Sequence, residues 1–147
     1  MAEASECISC KITRGEESCR KLYEDESALC IVDMGQVTLE NGELIPGRCL
    51  VIPKRHVSSY YDISGDEARK LFTVAKNVAS KIKRAFDPEF VTVFIRGRGV
   101  PSHTHIILQP SVENDPVDSF FFQRIMDFFK TAPEEALDDM AQKIREA

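Results

Sequence analysis

The stretch from Asp66 to Phe86 constrains the fold most. Ser64 followed three residues later by Glu67 has the spacing of a capping box, which marks a helix start. Ala68, Leu71, Phe72, Ala75, Val78, Ala79, Ile82 and Phe86 then recur at helical spacing, and Pro88 lies just past the end. A helix of this length with one apolar stripe needs a flat apolar partner. The flanking runs, Gly47 to Ile52 and Phe90 to Ile95, are short, apolar and rich in β-branched residues, as buried strands are.

The remaining segments extend this pattern. Lys21 to Glu26 and Ala28 to Asp33 read as two short strands around an acidic turn. Gln36 to Pro46 reads as a loop or hairpin turning at Asn41-Gly42, and Pro53 is expected to stop the strand before it. Strand geometry over Ser102 to Pro110 would put His103, His105 and Ile107 on one face and Thr104, Ile106 and Leu108 on the other. After a polar break at 111–118 come an aromatic helix carrying Phe120, Phe121, Phe122, Ile125, Met126, Phe128 and Phe129, and a last helix from near Pro133. Strands first, one long helix in the middle and helices last predict an α+β fold with an antiparallel sheet. At 147 residues the chain is expected to form a single domain, 1–147, with a helical extension over about 117–147.

Charge and cysteine usage narrow the function. A net charge of −5 argues against a general nucleic-acid binder. No apolar run has the length of a membrane span, and the opening Met-Ala-Glu-Ala-Ser-Glu lacks the features of a secretory signal, so the cytoplasm is the expected compartment. Five cysteines, an odd number, argue against a disulfide framework. Cys30 and Cys49 lie within apolar runs and read as small buried hydrophobes. Cys7 and Cys10 form a C-x-x-C, a spacing that suits a metal or a redox pair.

Neutral imidazole is both a metal ligand and a nucleophile, so two histidines close together suit a metal or a phosphate. Cys7, Cys10, His56 and one histidine of the His-Thr-His run would make the Cys2His2 tetrahedron that zinc prefers. Arg96 and Arg98, with glycines between and after them, either approach an anion or form a solvated hairpin tip. Asp33 at a strand end either accepts hydrogen bonds from a sugar diol or caps a turn.

Cys-Ile-Ser-Cys-Lys-Ile, Tyr-Glu-Asp-Glu, Val-Asp-Met, Pro-Gly-Arg-Cys-Leu-Val-Ile-Pro-Lys-Arg-His-Val and the His-Thr-His run resemble, in order and spacing, the histidine triad family. The resemblance extends from about Cys7 to the His-Thr-His run, and Leu-Val-Ile-Pro-Lys-Arg-His-Val is its most specific part. It implies an α+β fold with an antiparallel five-stranded sheet and one long helix, usually paired as a homodimer. It also implies a nucleotide hydrolase or nucleotidyl transferase acting at the phosphorus α to a nucleoside, with adenine or another purine nucleotide as substrate. The middle histidine of H-x-H-x-H would carry the nucleotidyl group, Asp33 would hold the ribose, and Ile8, Ile12 and Ile31 would wall the base. Zinc-bearing members imply a structural zinc on Cys7, Cys10, His56 and the first motif histidine.

The chain departs from the family pattern in having two motif histidines, where the pattern has three. In one register Pro101 replaces the first histidine, and His103 is the nucleophile. In the other, His103 is first, His105 is the nucleophile and Ile107 replaces the third. The second aligns Pro110 with the family's proline and frees His103 for zinc, so His105 is taken as the nucleophile. Two rivals stay open: a nucleotide-binding sensor of the same fold with weak catalysis, and a small zinc protein that binds other proteins through its phenylalanines.

Overall fold

The computed structural model describes residues 7–95, 103–118, 120 and 128–147. These fall into two compact units that divide at Asp115/Pro116.

In the first unit, a short helix α1 (Ile8–Arg14) precedes strands β1 (Lys21–Glu24) and β2 (Ala28–Val32). A small hairpin, β3 (Val37–Thr38) and β4 (Leu44–Ile45), leads into β5 (Cys49–Pro53). A single 3-10 turn at Tyr60–Asp62 introduces the long helix α2 (Gly65–Phe86), and β6 (Phe90–Ile95) and β7 (Ile106–Ser111) complete the sheet. The five-stranded sheet has the order β1-β2-β5-β7-β6 and every pair in it is antiparallel. The expected α+β architecture is therefore what the chain adopts.

Helix α2 starts where its capping box predicts, with Ser64 accepting from the Glu67 amide and Glu67 accepting from the Ser64 amide. Its seam is Leu71, Val74, Ala75, Val78 and Ile82, packed on Ala28, Cys30, Cys49, Val51, Ile106 and Leu108 of the sheet. Each of the larger residues contributes about 1.5–3 kcal/mol by leaving water. Phe72 and Phe86, assigned to the stripe from periodicity, lie at its margins and are about half exposed. Gly47 (φ 105°) brings the chain from the hairpin back against α2, where a Cβ would approach the Phe86 ring to 3.0 Å.

The C-x-x-C straddles the start of α1, with Cys7 at its N-cap and Cys10 in its first turn; Gly15 (φ 77°) ends this helix, its amide and that of Glu16 donating to Ile12 and Lys11 carbonyls. Pro53 ends β5, where it is paired with Ala28. Two expectations are corrected. Phe90 to Ile95, expected as a buried strand, is β6 at the edge of the sheet, with Phe90 and Val93 exposed. Strand β7 begins only at Ile106, so His103 and His105 precede the strand. The Thr104 amide there donates to the Val57 carbonyl at 2.6 Å, which draws the chain off the sheet ladder.

Alternation along the strands gives the sheet two different faces. Cys30, Val51, Ile106 and Leu108 meet α2. Leu29, Ile31 and Ile52 point the other way and pack with Ile12 of α1, Cys19 and Leu50.

The second unit contains α3 (Pro116–Asp118) and α4 (Glu134–Glu146). The last helix starts at its expected place, with Glu134 and Glu135 in its first turn and Lys143 and Arg145 in its last, matching the helix dipole. Phe120, Phe128 and Phe129 are exposed, whereas Phe121, Phe122, Ile125 and Met126 lie outside the described residues. Among the described residues, no helix is long and apolar enough to cross a membrane.

Candidate active site and metal centre

Four side chains from three separate segments converge on one point. Cys7 caps the N-terminus of α1, Cys10 sits one turn on, His56 follows β5 and His103 precedes β7. One ligand atom from each lies within 4.8 Å of every other. Cys7 Sγ is 3.5 Å and Cys10 Sγ 3.4 Å from His103 Nδ1, and Cys10 Sγ is 3.1 Å from His56 Nδ1. The two rings meet edge to face with centroids 5.1 Å apart.

This donor set fits a tetrahedral cation. With metal–sulfur bonds of about 2.3 Å and metal–nitrogen bonds of about 2.0 Å, the S···N edge of a tetrahedron is about 3.5 Å. His103 Nε2 lies 2.8 Å from the Pro53 carbonyl, which can only accept, so Nε2 carries the proton and Nδ1 keeps its lone pair. That lone pair faces two sulfurs and can accept from only one thiol at a time. Burial holds the His103 pKa below its ordinary value and favours the neutral, ligating imidazole. Burial, then the adjacent Cys7, push the Cys10 thiol up, a repulsion that a cation between them would reverse.

His105 has a different environment. It is partly exposed, and its Nδ1 lies 3.0 Å from the His103 carbonyl oxygen. A carbonyl accepts, so Nδ1–H donates and the lone pair is on Nε2. One histidine thus offers Nδ1 to the cysteine pair, and its neighbour keeps Nε2 available for other chemistry. Ile107, two residues on, is buried at 1% exposure.

Asp33 lies on the α1 side of the sheet, where its carboxylate is already engaged. Oδ2 accepts from Arg48 Nε at 2.7 Å, and Oδ1 accepts from the Gly35 amide at 3.0 Å. Both readings made from the sequence remain compatible with this geometry: the Gly35 bond is a turn cap, and each oxygen keeps a second lone pair. Ile12 and Ile31 pack into the same cluster, and Ile8 is 45% exposed. Arg96 and Arg98 lie outside the described residues.

Sequence reasoning missed Arg48 and Gln109. Arg48 Nη1 donates to Gln109 Oε1 at 3.0 Å, and Gln109, only 1% exposed, donates from Nε2 to the Pro110 carbonyl. The available signal was a polar residue inside each of two apolar strand runs. An apolar cavity, about 530 Å³ and lined by Val32, Cys49, Ile82 and Phe86 among others, lies on the α2 side, and none of the histidines lines it. Cys30 and Cys49 are buried as expected, and burial pushes their thiols up to about 12 and about 11, which makes them unreactive.

Residues 6–114 match the family model described as "Scavenger mRNA decapping enzyme C-term binding". The HIT family protein from Bacillus anthracis superimposes on the chain with a TM-score of 0.75 at 29% identity, over 98% of both chains. The chain belongs to the histidine triad family. Two relatives of this histidine triad protein are protein hit of Bacillus subtilis and an adenylylsulfatase of Arabidopsis thaliana. The first is 36% identical over 85 residues, which is 58% of this chain and 54% of that protein. The second is 29% identical over 115 residues, 76% of this chain and 55% of that protein. The chain thus spans about half the length of each.

Proposed function

We propose that this histidine triad protein hydrolyses or transfers a nucleotidyl group, displacing a leaving group from the α-phosphorus of a nucleoside 5′-phosphate or dinucleoside polyphosphate. The observation that carries this reading is the Nδ1–H bond from His105 to the His103 carbonyl, which leaves Nε2 as a nucleophile with a fixed ring plane. The Nε2 lone pair forms the P–N bond as the bond from phosphorus to the leaving group breaks, and the leaving group departs with that electron pair. Water or another acceptor then attacks the same phosphorus, breaks the P–N bond and restores the neutral imidazole. The adenylylsulfatase among the relatives supports an adenine or other purine nucleotide as the group carried. Asp33 receives the ribose, with Ile8, Ile12 and Ile31 along the base and Arg96 and Arg98 near the phosphate.

In this reading Cys7, Cys10, His56 and His103 hold a structural zinc, since four protein ligands leave no open position for substrate. Bound there, zinc would tie α1 to the segments after β5 and before β7. The exposed Phe72, Phe90 and Val93 on α2 and β6 support a homodimer across that edge. Five free cysteines suit a reducing compartment such as the cytoplasm.

Rapid-quench labelling with a nucleotide radiolabelled at the α-phosphorus tests the proposal. Acid-labile, protein-bound label that decays at the turnover rate is expected. Nucleotide binding without label would instead favour the sensor reading, for which the buried Ile107 in place of a third motif histidine is the supporting observation.

A further inference from the structure

Asp33, Arg48 and Gln109 form a polar row across the middle of the sheet. Arg48 leads into β5, and its neighbour Cys49 pairs with Val32 of β2 and Leu108 of β7. The next row therefore places Asp33, Arg48 and Gln109 side by side, and the Asp33 amide continues that ladder by donating to the Arg48 carbonyl at 3.0 Å. Gln36 holds the backbone here from a third direction. Its Nε2 donates to the Asp33 and Arg48 carbonyls, and its Oε1 accepts from the Gly47 and Arg48 amides.

The side chains use the same geometry. Arg48 Nε donates to Asp33 Oδ2 at 2.7 Å and Nη1 to Gln109 Oε1 at 3.0 Å. Gln109 is fully buried, and its own amide is spent on the Pro110 carbonyl, so it anchors one side of the guanidinium plane. The other side sets the plane of the Asp33 carboxylate, whose second oxygen is held by the Gly35 amide. With about a fifth of its side chain exposed, Asp33 presents a carboxylate edge that cannot rotate freely. A free aspartate would pay rotamer entropy to meet two hydroxyls at once, and this one has been ordered in advance.

We infer that Arg48, anchored by Gln109, is a positioning residue that fixes the Asp33 carboxylate for the vicinal hydroxyls of a ribose and so sets selectivity for ribonucleotides over 2′-deoxyribonucleotides. This inference rests on the nucleotide reading above and deepens it. It concerns no reacting atom, so its signature is a ratio of affinities and not a loss of the covalent step.

The test is calorimetric titration of the full chain with AMP and with 2′-deoxy-AMP, for the wild type, Arg48→Gln, Arg48→Lys and Gln109→Leu. The wild type is expected to favour AMP. Arg48→Gln should cut that preference about tenfold, as expected when a hydrogen bond to a charged group is weakened. Arg48→Lys should restore part of it, because an ammonium reaches Asp33 but cannot also fork to Gln109. Gln109→Leu should fall between the wild type and Arg48→Gln. An unchanged preference in the folded Arg48 variants, even with a lower melting temperature, would make Arg48 a structural residue and overturn the inference alone. Should Arg48→Gln not fold, Arg48→Lys decides by the same criterion. A wild type that binds AMP and 2′-deoxy-AMP equally overturns the inference and Asp33's role, and one that binds neither overturns the proposed function itself.

Discussion

His103 Nε2 meets the Pro53 carbonyl oxygen at 2.8 Å, and this one bond decides which nitrogen of His103 faces Cys7 and Cys10. Carbonyl partners of this kind orient ligating histidines and raise their basicity. Native mass spectrometry is therefore expected to find one zinc per chain. Chelation should lower the melting temperature, since binding at such a site contributes directly to folding. A metal-free protein whose melting is indifferent to chelators would overturn the assignment.

Asp33→Ala is expected to weaken nucleotide binding by about 1.5–3 kcal/mol, the range for a hydrogen bond to a charged group. It also strips Arg48 of its ion-pair partner, so the variant should melt below the wild type. Lower stability with unchanged nucleotide affinity by calorimetry would reduce Asp33 to the cap of the Gly35 turn.

Acid should act through Glu67. The Arg55 guanidinium, followed by the Ser64 amide, holds its carboxyl at about 2, below an ordinary value of 4.5. The folded value lies under the unfolded one, so this contribution is present above about pH 4.5 and is lost as pH falls toward 2. Glu67→Gln should therefore lose more stability at pH 6 than at pH 2.5, measured as melting temperature against wild type. An equal loss at both pH values would show that the charge of Glu67 adds nothing to its capping role.

The long helix and most strands are legible in the sequence because each is patterned by one physical demand. The capping box and apolar spacing of 64–86 specify a helix on their own, and Ala28 to Val32 is apolar enough to require a sheet interior, whereas the equally apolar Phe90 to Ile95 forms the edge strand with Phe90 and Val93 exposed. The seven residues of α1 carry too little periodicity to be distinguished from a loop, and their helix is tied to the sheet by Ile12. The start of β7 was also hidden, since alternation in Ser102 to Pro110 suits a strand while the Thr104–Val57 bond, made across 47 positions, bends the chain away. The gathering of Cys7, Cys10 and His56 with one histidine of the His-Thr-His run was expected from ligand chemistry, and His103 as that histidine from the family resemblance. The Arg48–Gln109 bond was not, because it depends on strand order, which spacing along the chain does not encode.

His103 and His105 carry their ring lone pairs on opposite nitrogens, so their alanine variants can distinguish the two registers of the motif. His103 offers Nδ1 to the cysteine pair, and His105 keeps Nε2 free because its Nδ1 donates to the His103 carbonyl. An imidazole whose lone pair is committed to a metal has none to give to phosphorus. His105→Ala should thus abolish the covalent nucleotidyl label while zinc content stays near normal. His103→Ala should lose zinc and lower the melting temperature, with labelling reduced only as far as the fold is damaged. If His103 were the nucleophile, its alanine variant would lose the label and keep the metal, and His105→Ala would still be labelled. Quench-flow labelling and zinc analysis on the same two preparations distinguish these patterns, because each register predicts the loss that the other forbids.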